Sequence, residues 1–432
     1  MWGGSECTVN RVGERRFDQL LLTQQHDGAL NVRRAARLGI RALRVPVLWE
    51  RVAPQGTAAY DWQWSDAQLQ ACAQHGIEPI IGLLHHGSGP HGTDLLDPEF
   101  PRKFAGFAAA VARRYPWVTT WTPINEPLTT ARFSGLYGLW YPHRADDASF
   151  ATALIGQARA IAMAMQAIRA VRADARLMQT EDLGRATSSP RLAYQRDWEN
   201  ARRWFSLDLL AGLVDRDHPL RTAVDDPRLV ADIDALCETP CRPDIIGINH
   251  YVTSNRHLDD RLHAYPDAHV GGNRHERYVD VEGVRVQGVQ PAGFRDLLDE
   301  AWSRYGQPLV LSEVQMQCSV EEQLRWLHEA WTAAQQARAD GVCVQAVVAW
   351  GLFGQMDWHC LVTRPEQRYV PGVFDMRQPF AEPGALARMI GDLARHGHHE
   401  HPALEHAGWW HGEQRYRYFP QSRASTAWSE VA

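Results

Sequence analysis

Short apolar runs alternate along most of this sequence with longer stretches in which apolar residues recur every three to four positions. The short runs have the length and β-branched content of buried strands, and the longer stretches have the period of amphipathic helices. Eight short runs are present: Trp2–Ser5, Ile40–Val47, Glu78–Leu84, Val118–Ile124, Arg176–Thr180, Asp244–Asn249, Pro308–Glu313 and Val344–Trp350. Because alternating strands and helices build parallel sheets, this pattern predicts an α/β fold, a single closed (β/α)8 TIM barrel.

Amphipathic helices are predicted between these strands, at Asn31–Leu38, Ser65–His75, Pro98–Tyr115, Ala151–Ala173, Leu192–Leu213, Gly293–Tyr305, Val320–Ala339 and Pro383–His396. Three strand-to-helix segments are long, residues 126–150, 181–191 and 250–291, and such loops form the active-site face of a barrel. No linker rich in Pro or Ser divides the chain. We therefore predict one barrel over residues 1–395, followed by a short polar tail, residues 396–432, rich in His, Trp and Arg.

The charged residues exclude several classes of protein. The chain of 432 residues has 51 acidic and 45 basic residues, and Lys103 is its single lysine. Pyridoxal enzymes and Schiff-base aldolases need a lysine amine in the active site, and Lys103 lies outside the predicted strands, which excludes both. A formal charge of −6 with scattered arginines gives no basic surface for nucleic acid or an anionic membrane, so neither is an expected partner.

Cysteine usage and the first residues indicate a cytoplasmic protein. Seven cysteines, from Cys7 to Cys360, form no disulfide framework, which predicts reduced thiols. Residues 1–30 lack the basic start and apolar run of a signal peptide, and no uninterrupted apolar run reaches the ~18 residues that a membrane span needs. We therefore expect the protein in the cytoplasm.

Three motifs suggest ligands that their context does not support. Gly87–Gly92 matches a dinucleotide fingerprint, but no helix follows at once and Pro90 removes an amide that would face the phosphate. The run His396–His401 has metal-ligating residue types without a second cluster at a defined spacing, which favours a solvated loop. The Trp409–Trp410 doublet is predicted to cover a barrel face. Neither a metal nor an organic cofactor is expected.

Two glutamates stand at the carboxyl ends of predicted strands, where a barrel has its mouth. Glu126 follows the strand ending in Thr122-Pro-Ile-Asn125, and Glu313 ends the strand Pro308-Leu-Val-Leu-Ser-Glu. A carboxylate at the end of an apolar strand is costly to leave unpaired. A pair of them facing one pocket is what glycosidic bond cleavage requires, because one protonates the leaving oxygen and the other attacks the sugar carbon. The alternative for each glutamate alone is a helix cap or an arginine pair.

Seven segments around these glutamates resemble, in order along residues 2–376, the motifs of family 1 glycoside hydrolases, the β-glucosidase family. The most specific segment, around the first glutamate, is Trp121-x-x-x-Asn125-Glu126-Pro127. The others include Leu43-Arg-Val-Pro-Val-Leu-Trp49, Gly82-Leu-Leu-His85, Asp244-Ile-Ile-Gly-Ile-Asn-His-Tyr251, Leu311-Ser-Glu313 and Trp350-Gly-Leu-Phe-Gly-Gln-Met-Asp-Trp358. The resemblance implies a retaining exo-acting β-glycosidase for a small β-glycoside.

The resemblance also implies a role for individual residues. Glu313 would be the nucleophile and Glu126 the general acid/base, with Arg44 and Tyr251 holding the nucleophile charged and oriented. The sugar itself would be contacted by His85, Asn125, Trp350 and Trp358. We therefore expect carboxyl groups about 5–5.5 Å apart, as in retaining enzymes. We also expect a raised pKa for Glu126 and a low pKa for Glu313 beside Arg44.

Two departures from the family concern the far end of the sugar. Asn10 stands where the family has a glutamine, and Asp357 where it has a glutamate, so each side chain is one methylene shorter. Both are expected to bind sugar, and their shortening favours a galacto-, 6-deoxy, pentosyl or furanosyl β-glycoside over the glucoside. Two alternatives stay open: a barrel that binds sugar without turnover, and a transglycosidase. The oligomeric state cannot be predicted from the sequence.

Overall fold

The computed structural model describes residues 1–56, 59–378 and 383–420. Eight parallel strands close into a barrel in which each strand pairs with its neighbours along the chain and the last pairs with the first. These strands are β1 Trp2–Gly4, β2 Ala42–Pro46, β3 Glu78–His85, β4 Thr120–Asn125, β5 Arg176–Asp182, β6 Ile245–Asn249, β7 Leu309–Val314 and β8 Val344–Ala349. The predicted (β/α)8 barrel is confirmed, and all eight strands coincide with the predicted runs.

The barrel strands are buried on both faces, which is why they read as continuous apolar runs. One face fills the barrel interior with a small cluster that includes Ile80, Met178, Ile245 and Val310. The other face packs under the surrounding helices in a much larger core. The barrel is therefore a packed solid, and space for a ligand remains at its ends.

The α-helices are Gln19–Leu22, Gly28–Arg37, Trp49–Val52, Gln63–His75, Phe100–Arg114, Pro127–Ala131, Asp147–Arg169, Ala193–Arg202, Phe205–Ala211, Pro227–Glu238, Phe294–Tyr305, Val320–Ala339 and Ala385–His396. Several begin at a residue whose side chain accepts a hydrogen bond from a first-turn N–H group, as Asp27, Asp146 and Ser319 do. Such caps explain why the helices start within a few residues of the predicted positions.

Besides three short helices that were not predicted, Gln19–Leu22, Trp49–Val52 and Pro127–Ala131, two longer helical regions differ from the prediction. The predicted helix Leu192–Leu213 is two helices, because the N–H of Trp204 bonds the carbonyl of Ala201, three residues back, and the regular helix is interrupted at Arg203 and Trp204. There the Arg203 guanidinium donates to the carbonyl of Gly184 at 3.0 Å and also binds Glu300. The helix Pro227–Glu238 was not predicted at all.

The long loops contain further strands that the hydrophobic pattern did not predict. Ala186–Ser188, Arg256–Asp259, Val270–Gly272 and Arg277–Glu282 form a four-stranded sheet above the barrel. A hairpin, Val9–Val12 with Arg15–Asp18, follows β1 and turns at Gly13, whose φ is +57°. These strands are three to six residues long, too short for a period of two to stand out from loop sequence.

The tail packs back onto the barrel. Trp410 is buried, and its indole nitrogen donates to Glu329 at 2.8 Å. Arg415 is also buried and donates to the carbonyl of Trp410 at 2.8 Å. The described part of the tail, residues 397–420, thus covers barrel helices, and residues 421–432 of the predicted tail lie outside the described residues.

Helix Asp147–Arg169 is, among the described residues, long and apolar enough to cross a membrane by length and composition. Just over half of its apolar window is buried inside the protein, where it packs beside Phe100–Arg114. Burial of this kind is typical of the core helix of a globular domain. The helix is therefore weak evidence for a membrane span.

Candidate active site

A pocket of about 800 Å³ opens at the carboxyl ends of the barrel strands. The two glutamates singled out in the sequence, Glu126 and Glu313, both line it, together with Tyr251. The loops after β4 and β6 contribute further walls, and so does the segment after β8. The pocket therefore has the position at which barrel enzymes carry their active sites.

Glu313 is held at the end of β7 by two groups from other strands. Nη1 of Arg44, on β2, donates to its Oε1 at 2.7 Å, and the hydroxyl of Tyr251, after β6, donates to its Oε2 at 2.5 Å. The same Arg44 nitrogen donates to the carbonyl of Ser312 at 3.0 Å. The Glu313 side chain is 3% exposed, so both oxygens are fixed in a nearly dry setting.

Asn125 links the strands that surround the pocket. Its Oδ1 accepts from Nη2 of Arg44 at 2.7 Å, from the hydroxyl of Thr180 at 2.7 Å and from Nδ2 of Asn249 at 3.3 Å. Its Nδ2 lies 3.2 Å from Nε2 of His85. The amide is thus oriented by three donors, which leaves its nitrogen facing His85.

Glu126 follows β4 in a left-handed backbone conformation, with φ +45° and ψ +63°. A non-glycine residue is strained there, and such strain is concentrated at functional sites. Nδ2 of Asn249 donates to its Oε1 at 2.6 Å. The next helix, Pro127–Ala131, needs no cap from Glu126, because Glu181 accepts the backbone N–H of Leu128 at 3.0 Å. Glu126 is therefore not a helix cap, and its carboxyl group is available to the pocket.

The environment of Glu126 favours its protonated form. Burial raises its pKa well above the ordinary value, and the charges of Glu313, Asp182 and Glu181 raise it further, while the Asn249 hydrogen bond opposes the shift. This agrees with the expected raised pKa. Glu126 is suited to deliver a proton.

The environment of Glu313 acts in two directions. Burial raises its pKa to about 7, although Arg44 and Tyr251 both oppose the shift. The expected low pKa is therefore wrong, because removing the carboxylate from water outweighs its pairing with Arg44. Glu313 nevertheless has a bound cation and Glu126 has none, so Glu313 is the group of this pair that ionises first.

Of the four side chains predicted to contact the sugar, Trp358 lines the pocket, and His85, Asn125 and Trp350 lie behind the lining residues. His85 stacks on Trp350 with ring centroids 5.5 Å apart, and Arg44 lies 4.4 Å above the Trp350 ring. Trp350 approaches β1 so closely that a Cβ at Gly4 would lie 2.4 Å from its ring, which explains the glycine.

Asn10 and Asp357 are held by backbone groups instead of lining the pocket wall. Nδ2 of Asn10 donates to the carbonyl of Val362 at 3.3 Å, and its Oδ1 is buried without a hydrogen-bond partner in the described structure. The Asp357 carboxylate accepts the backbone N–H groups of Gln367 at 3.2 Å and Arg368 at 2.7 Å. The carboxylate of Asp357 thus stabilises a turn, and its expected contact with sugar stays a prediction.

Sequence reasoning assigned only a few of the residues that line the pocket, and those that it missed include Glu6, His86, Gln355 and Trp409. His86 has φ +58°, and burial, with Arg44, lowers its pKa to about 3, so its approach to Glu126 at 3.7 Å is not an ion pair. Glu6 follows a strand just as Glu126 does, and this signal could have identified it. Trp409 was expected only to cover the barrel.

One group among the described residues has side chains that could converge on a metal ion. Ligand atoms of His359, Cys360 and Glu366 lie within 4.8 Å of one another beside the pocket. His359 and Glu366 hydrogen-bond each other at 2.6 Å, and Cys360 donates to the carbonyl of Asp357 at 3.1 Å. These contacts account for the cluster without an ion, and His359 and Glu366 are exposed.

A buried carboxyl group that retains its proton, opposite a carboxyl group held by a guanidinium and a phenol, matches the chemistry of glycosidic bond cleavage. The fold and the site therefore define a glycoside hydrolase of the (β/α)8 type. Residues 22–369 match the family described as Glycosyl hydrolase family 1. Since this match covers most of the chain, the protein belongs to glycosyl hydrolase family 1.

Individual relatives are distant. The chain is 21% identical to coniferin beta-glucosidase from Pinus contorta over 83% of this chain and 79% of that protein. It is 23% identical to phospho-cellobiase from Klebsiella oxytoca over 79% of each. Among solved structures, it is similar to a beta-glucosidase from Thermotoga maritima in complex with galacto-hydroximolactam, with a TM-score of 0.70, 15% identity and coverage of 91% of this chain and 97% of that one. At 15% identity, this similarity shows that the two chains share a fold and shows nothing further about this protein.

Proposed function

We propose that this protein is a retaining exo-β-glycosidase that hydrolyses small β-glycosides through a covalent glycosyl-enzyme intermediate. The observation that carries the proposal is the unequal setting of the two carboxyl groups. Glu313 is bound by Arg44 at 2.7 Å and Tyr251 at 2.5 Å, while Glu126 has no cation in contact and is surrounded by other carboxyl groups. The surroundings of Glu313 favour its carboxylate form, and the surroundings of Glu126 favour its protonated form.

In the first step, a carboxylate oxygen of Glu313 attacks the anomeric carbon of the sugar. Glu126 gives its proton to the glycosidic oxygen as the bond to the aglycone breaks, and the aglycone leaves as a neutral alcohol. The product is a glycosyl ester on Glu313. Formation of the ester removes the negative charge of Glu313, which lowers the pKa of Glu126 and prepares it to act as a base.

In the second step, Glu126 takes a proton from water, and the water oxygen attacks the anomeric carbon from the face that the aglycone left. The ester bond breaks, and Glu313 returns as a carboxylate beside Arg44. Two inversions give net retention of the β configuration. Asn125, oriented by its three donors, is placed to bind the sugar 2-OH next to the reacting carbon.

The shape of the site supports the proposal of exo action on a small substrate. The glutamates face a pocket of about 800 Å³, within the size range of small-molecule sites. The aromatic ring of Trp358, which lines the pocket, offers a face on which the C–H groups of a sugar pack. All seven cysteines are free thiols, which supports action in a reducing compartment such as the cytoplasm.

The decisive experiment is to trap the intermediate. The protein is incubated with 2-deoxy-2-fluoro-β-glycosyl fluorides of the gluco, galacto, fuco and xylo series, and intact and digested protein are analysed by mass spectrometry. We expect one label per chain, on the peptide that contains Glu313, and no label on the Glu313→Gln variant. Turnover with the label on another residue would refute the assignment of the nucleophile.

Turnover assays with nitrophenyl glycosides separate the proposal from its two alternatives, a barrel that binds sugar without turnover and a transglycosidase. A barrel that only binds sugar would give no turnover with any member of a nitrophenyl glycoside panel, although it would bind sugars in calorimetry. A transglycosidase would release nitrophenol but transfer the sugar to an added alcohol in preference to water. Hydrolysis to the free β-anomer, followed by proton NMR in the first minutes, is the result that the proposal requires.

A further inference from the structure

A third carboxyl group, that of Glu6, lines the pocket and has no part in the mechanism above. Glu6 follows β1, which lies in the barrel wall between β8 and β2. It is 2% exposed. The side chains next to it in the pocket wall, Gln355 and Trp358, come from the segment after β8.

The immediate surroundings of Glu6 leave it able to bind a ligand. Its Oε1 accepts the backbone N–H of Thr8 at 2.8 Å. The hydroxyl of Thr8 and the indole N–H groups of Trp350 and Trp358 also interact with the Glu6 carboxyl group and lower its pKa, although neither indole makes a hydrogen bond of regular geometry among the described residues. The amide oxygen of Asn10 is buried without a hydrogen-bond partner in the described structure. A buried polar group without a full set of partners is destabilising, so the side chains of Glu6 and Asn10 keep hydrogen-bonding capacity that a bound sugar would satisfy.

In the described part of the chain, no arginine lines this side of the pocket, and His359, which lines it after β8, is bound to Glu366 at 2.6 Å. Within the part of the chain that the structure describes, the arginines that line the pocket are Arg132, Arg256 and Arg285, which follow β4 and β6 on the opposite side. Arg44 is nearer, but Glu313 and Asn125 occupy its guanidinium. Burial raises the pKa of Glu6, although the interactions with Thr8, Trp358 and Trp350 oppose the shift.

The orientation of the substrate follows from the reacting groups. The anomeric carbon must be within reach of both Glu126 and Glu313, and the aglycone must leave toward the open rim. The remaining carbons of the sugar ring then extend to the buried wall, where Glu6 and Trp358 lie. A phosphate on the sugar would bring a dianion next to a carboxyl group where no cation is available, which is strongly unfavourable.

We propose that Glu6 is a specificity-determining residue that binds hydroxyl groups at the buried end of the sugar and selects a neutral sugar over a sugar phosphate. This inference rests on the proposed glycosidase function, and it takes the place of a role for Asp357, whose carboxylate is bound in a turn. Some relatives of this chain are named for phosphorylated substrates, such as the phospho-cellobiase, and Glu6 would exclude a substrate of that class from this pocket.

The first test needs no variant. Nitrophenyl β-glucoside and β-galactoside are compared with their 6-phosphates, and with the 3-, 4- and 6-deoxy glycosides. We expect kcat/KM for the neutral glycoside to exceed that for the 6-phosphate by at least about tenfold, and one deoxy substitution to cost about 10- to 100-fold, the contribution of a hydrogen bond to a buried carboxyl group. A preference for the 6-phosphate would overturn the proposal and leave the glycosidase function standing.

The second test uses Glu6→Gln and Glu6→Ala, with Glu14→Gln as the matched control. Glu14 lies in the hairpin after β1, and its side chain is 96% exposed. We expect Glu6→Ala to lower kcat/KM for the neutral glycoside by about 10- to 100-fold, and to abolish the extra cost of the critical deoxy substitution. The kcat/KM for the 6-phosphate should not fall. Glu14→Gln should match the unmodified protein.

Two outcomes of the variant test are contrary to the proposal. Equal losses on neutral, deoxy and phosphorylated substrates would mean that Glu6 has a general structural role and does not contact the sugar. No loss on any substrate would mean that Glu6 is not in the site. Thermal melts of each variant identify a loss caused by misfolding, and in that case the first test decides. Absence of turnover in the unmodified protein on every substrate would instead refute the proposed function.

Discussion

The hydroxyl of Tyr251 lies 2.5 Å from Oε2 of Glu313 and donates a hydrogen bond to it, on the opposite side of the carboxyl group from Arg44. Each oxygen of Glu313 therefore has one donor, from a different barrel strand. Removal of either donor must change both the orientation and the charge of the carboxyl group. The arrangement allows the two effects to be separated, because Tyr251 carries no charge and Arg44 does.

Tyr251→Phe should lower kcat while the protein keeps its fold. The phenol hydrogen bond lowers the pKa of Glu313, so its loss should shift the acidic limb of the pH profile to higher pH. A loss of about 10- to 1,000-fold in kcat is expected, in line with the removal of one hydrogen bond to a reacting charged group. The kcat and pH profile of the variant are measured with a nitrophenyl glycoside. An unchanged acidic limb would show that Tyr251 does not act on Glu313.

Glu126→Ala should retain activity on substrates whose leaving groups need no protonation, such as dinitrophenyl glycosides. Added azide should restore turnover by taking the place of water, and the product should be the β-glycosyl azide, which NMR identifies. Glu313→Gln serves as the comparison and should stay inactive on every substrate. An α-glycosyl azide from Glu126→Ala would mean that azide had replaced the nucleophile, and the two assigned roles would have to be exchanged.

The pH dependence of kcat/KM should follow a bell. Activity requires Glu313 ionised and Glu126 protonated, so it rises as pH passes the pKa of Glu313 and falls as pH passes that of Glu126. Because the charge of Glu313 raises the pKa of Glu126, Glu313→Gln should lower it. Isotope-edited infrared or NMR spectroscopy of the Glu126 carboxyl group measures this value directly. No change on replacement would mean that the two groups do not share a site.

Glu50→Gln should stabilise the protein at alkaline pH. Glu50 is buried, one oxygen accepts the N–H of Gly89 at 3.0 Å, and the other has no hydrogen-bond partner in the described structure. Burial raises its pKa to about 7, so the folded state holds a proton that the unfolded state has released, and the stability from this group is lost as pH rises from about 4.5 to about 7.

The amide in Glu50→Gln cannot ionise, so the loss between these pH values should disappear. The gain in free energy of unfolding at pH 8 is on the order of 3 kcal/mol, the equivalent of the pKa shift. Urea unfolding at pH 5 and pH 8 measures it, with Glu14→Gln as an exposed control. A variant that is less stable than the unmodified protein at pH 8 would contradict the prediction.

The parts of the molecule that the sequence predicted are those in which local pattern and tertiary position agree. Barrel strands are buried on both faces, so an apolar run marks them. The helix Pro227–Glu238 has Asp226 as its N-cap, Pro at its first position, and buried Leu229, Ile233 and Leu236, so its signals were present but were not recognised. Contacts between distant residues have no local signal, as in the 3.9 Å approach of Arg285 to the ring of Trp409.

The residues of the site likewise fall into those that have a local signal in the sequence and those that do not. Glu126 and Glu313 were identifiable because a carboxyl group at the end of an apolar strand is rare, and Glu6 meets that criterion at β1. For Asp357, the sequence did not show the local structure. Its position relative to the family motif predicts a sugar contact, which stays a prediction, while its φ of +58° and its two backbone hydrogen bonds place the carboxylate in a turn. Backbone direction of this kind depends on the loop as a whole and not on residue type.

Trp409 stands on the pocket rim, 40 residues beyond the family match that ends at residue 369. The side chains proposed to break the bond belong to the barrel strands and their ends, whereas this ring, steadied by Arg285, belongs to a stretch that the strands do not need in order to close. A change in the tail alone can therefore alter this wall of the pocket while the barrel strands keep their sequence. The residues proposed to carry out the reaction and this part of the pocket wall therefore lie in separate segments of the chain, and each segment can change without the other.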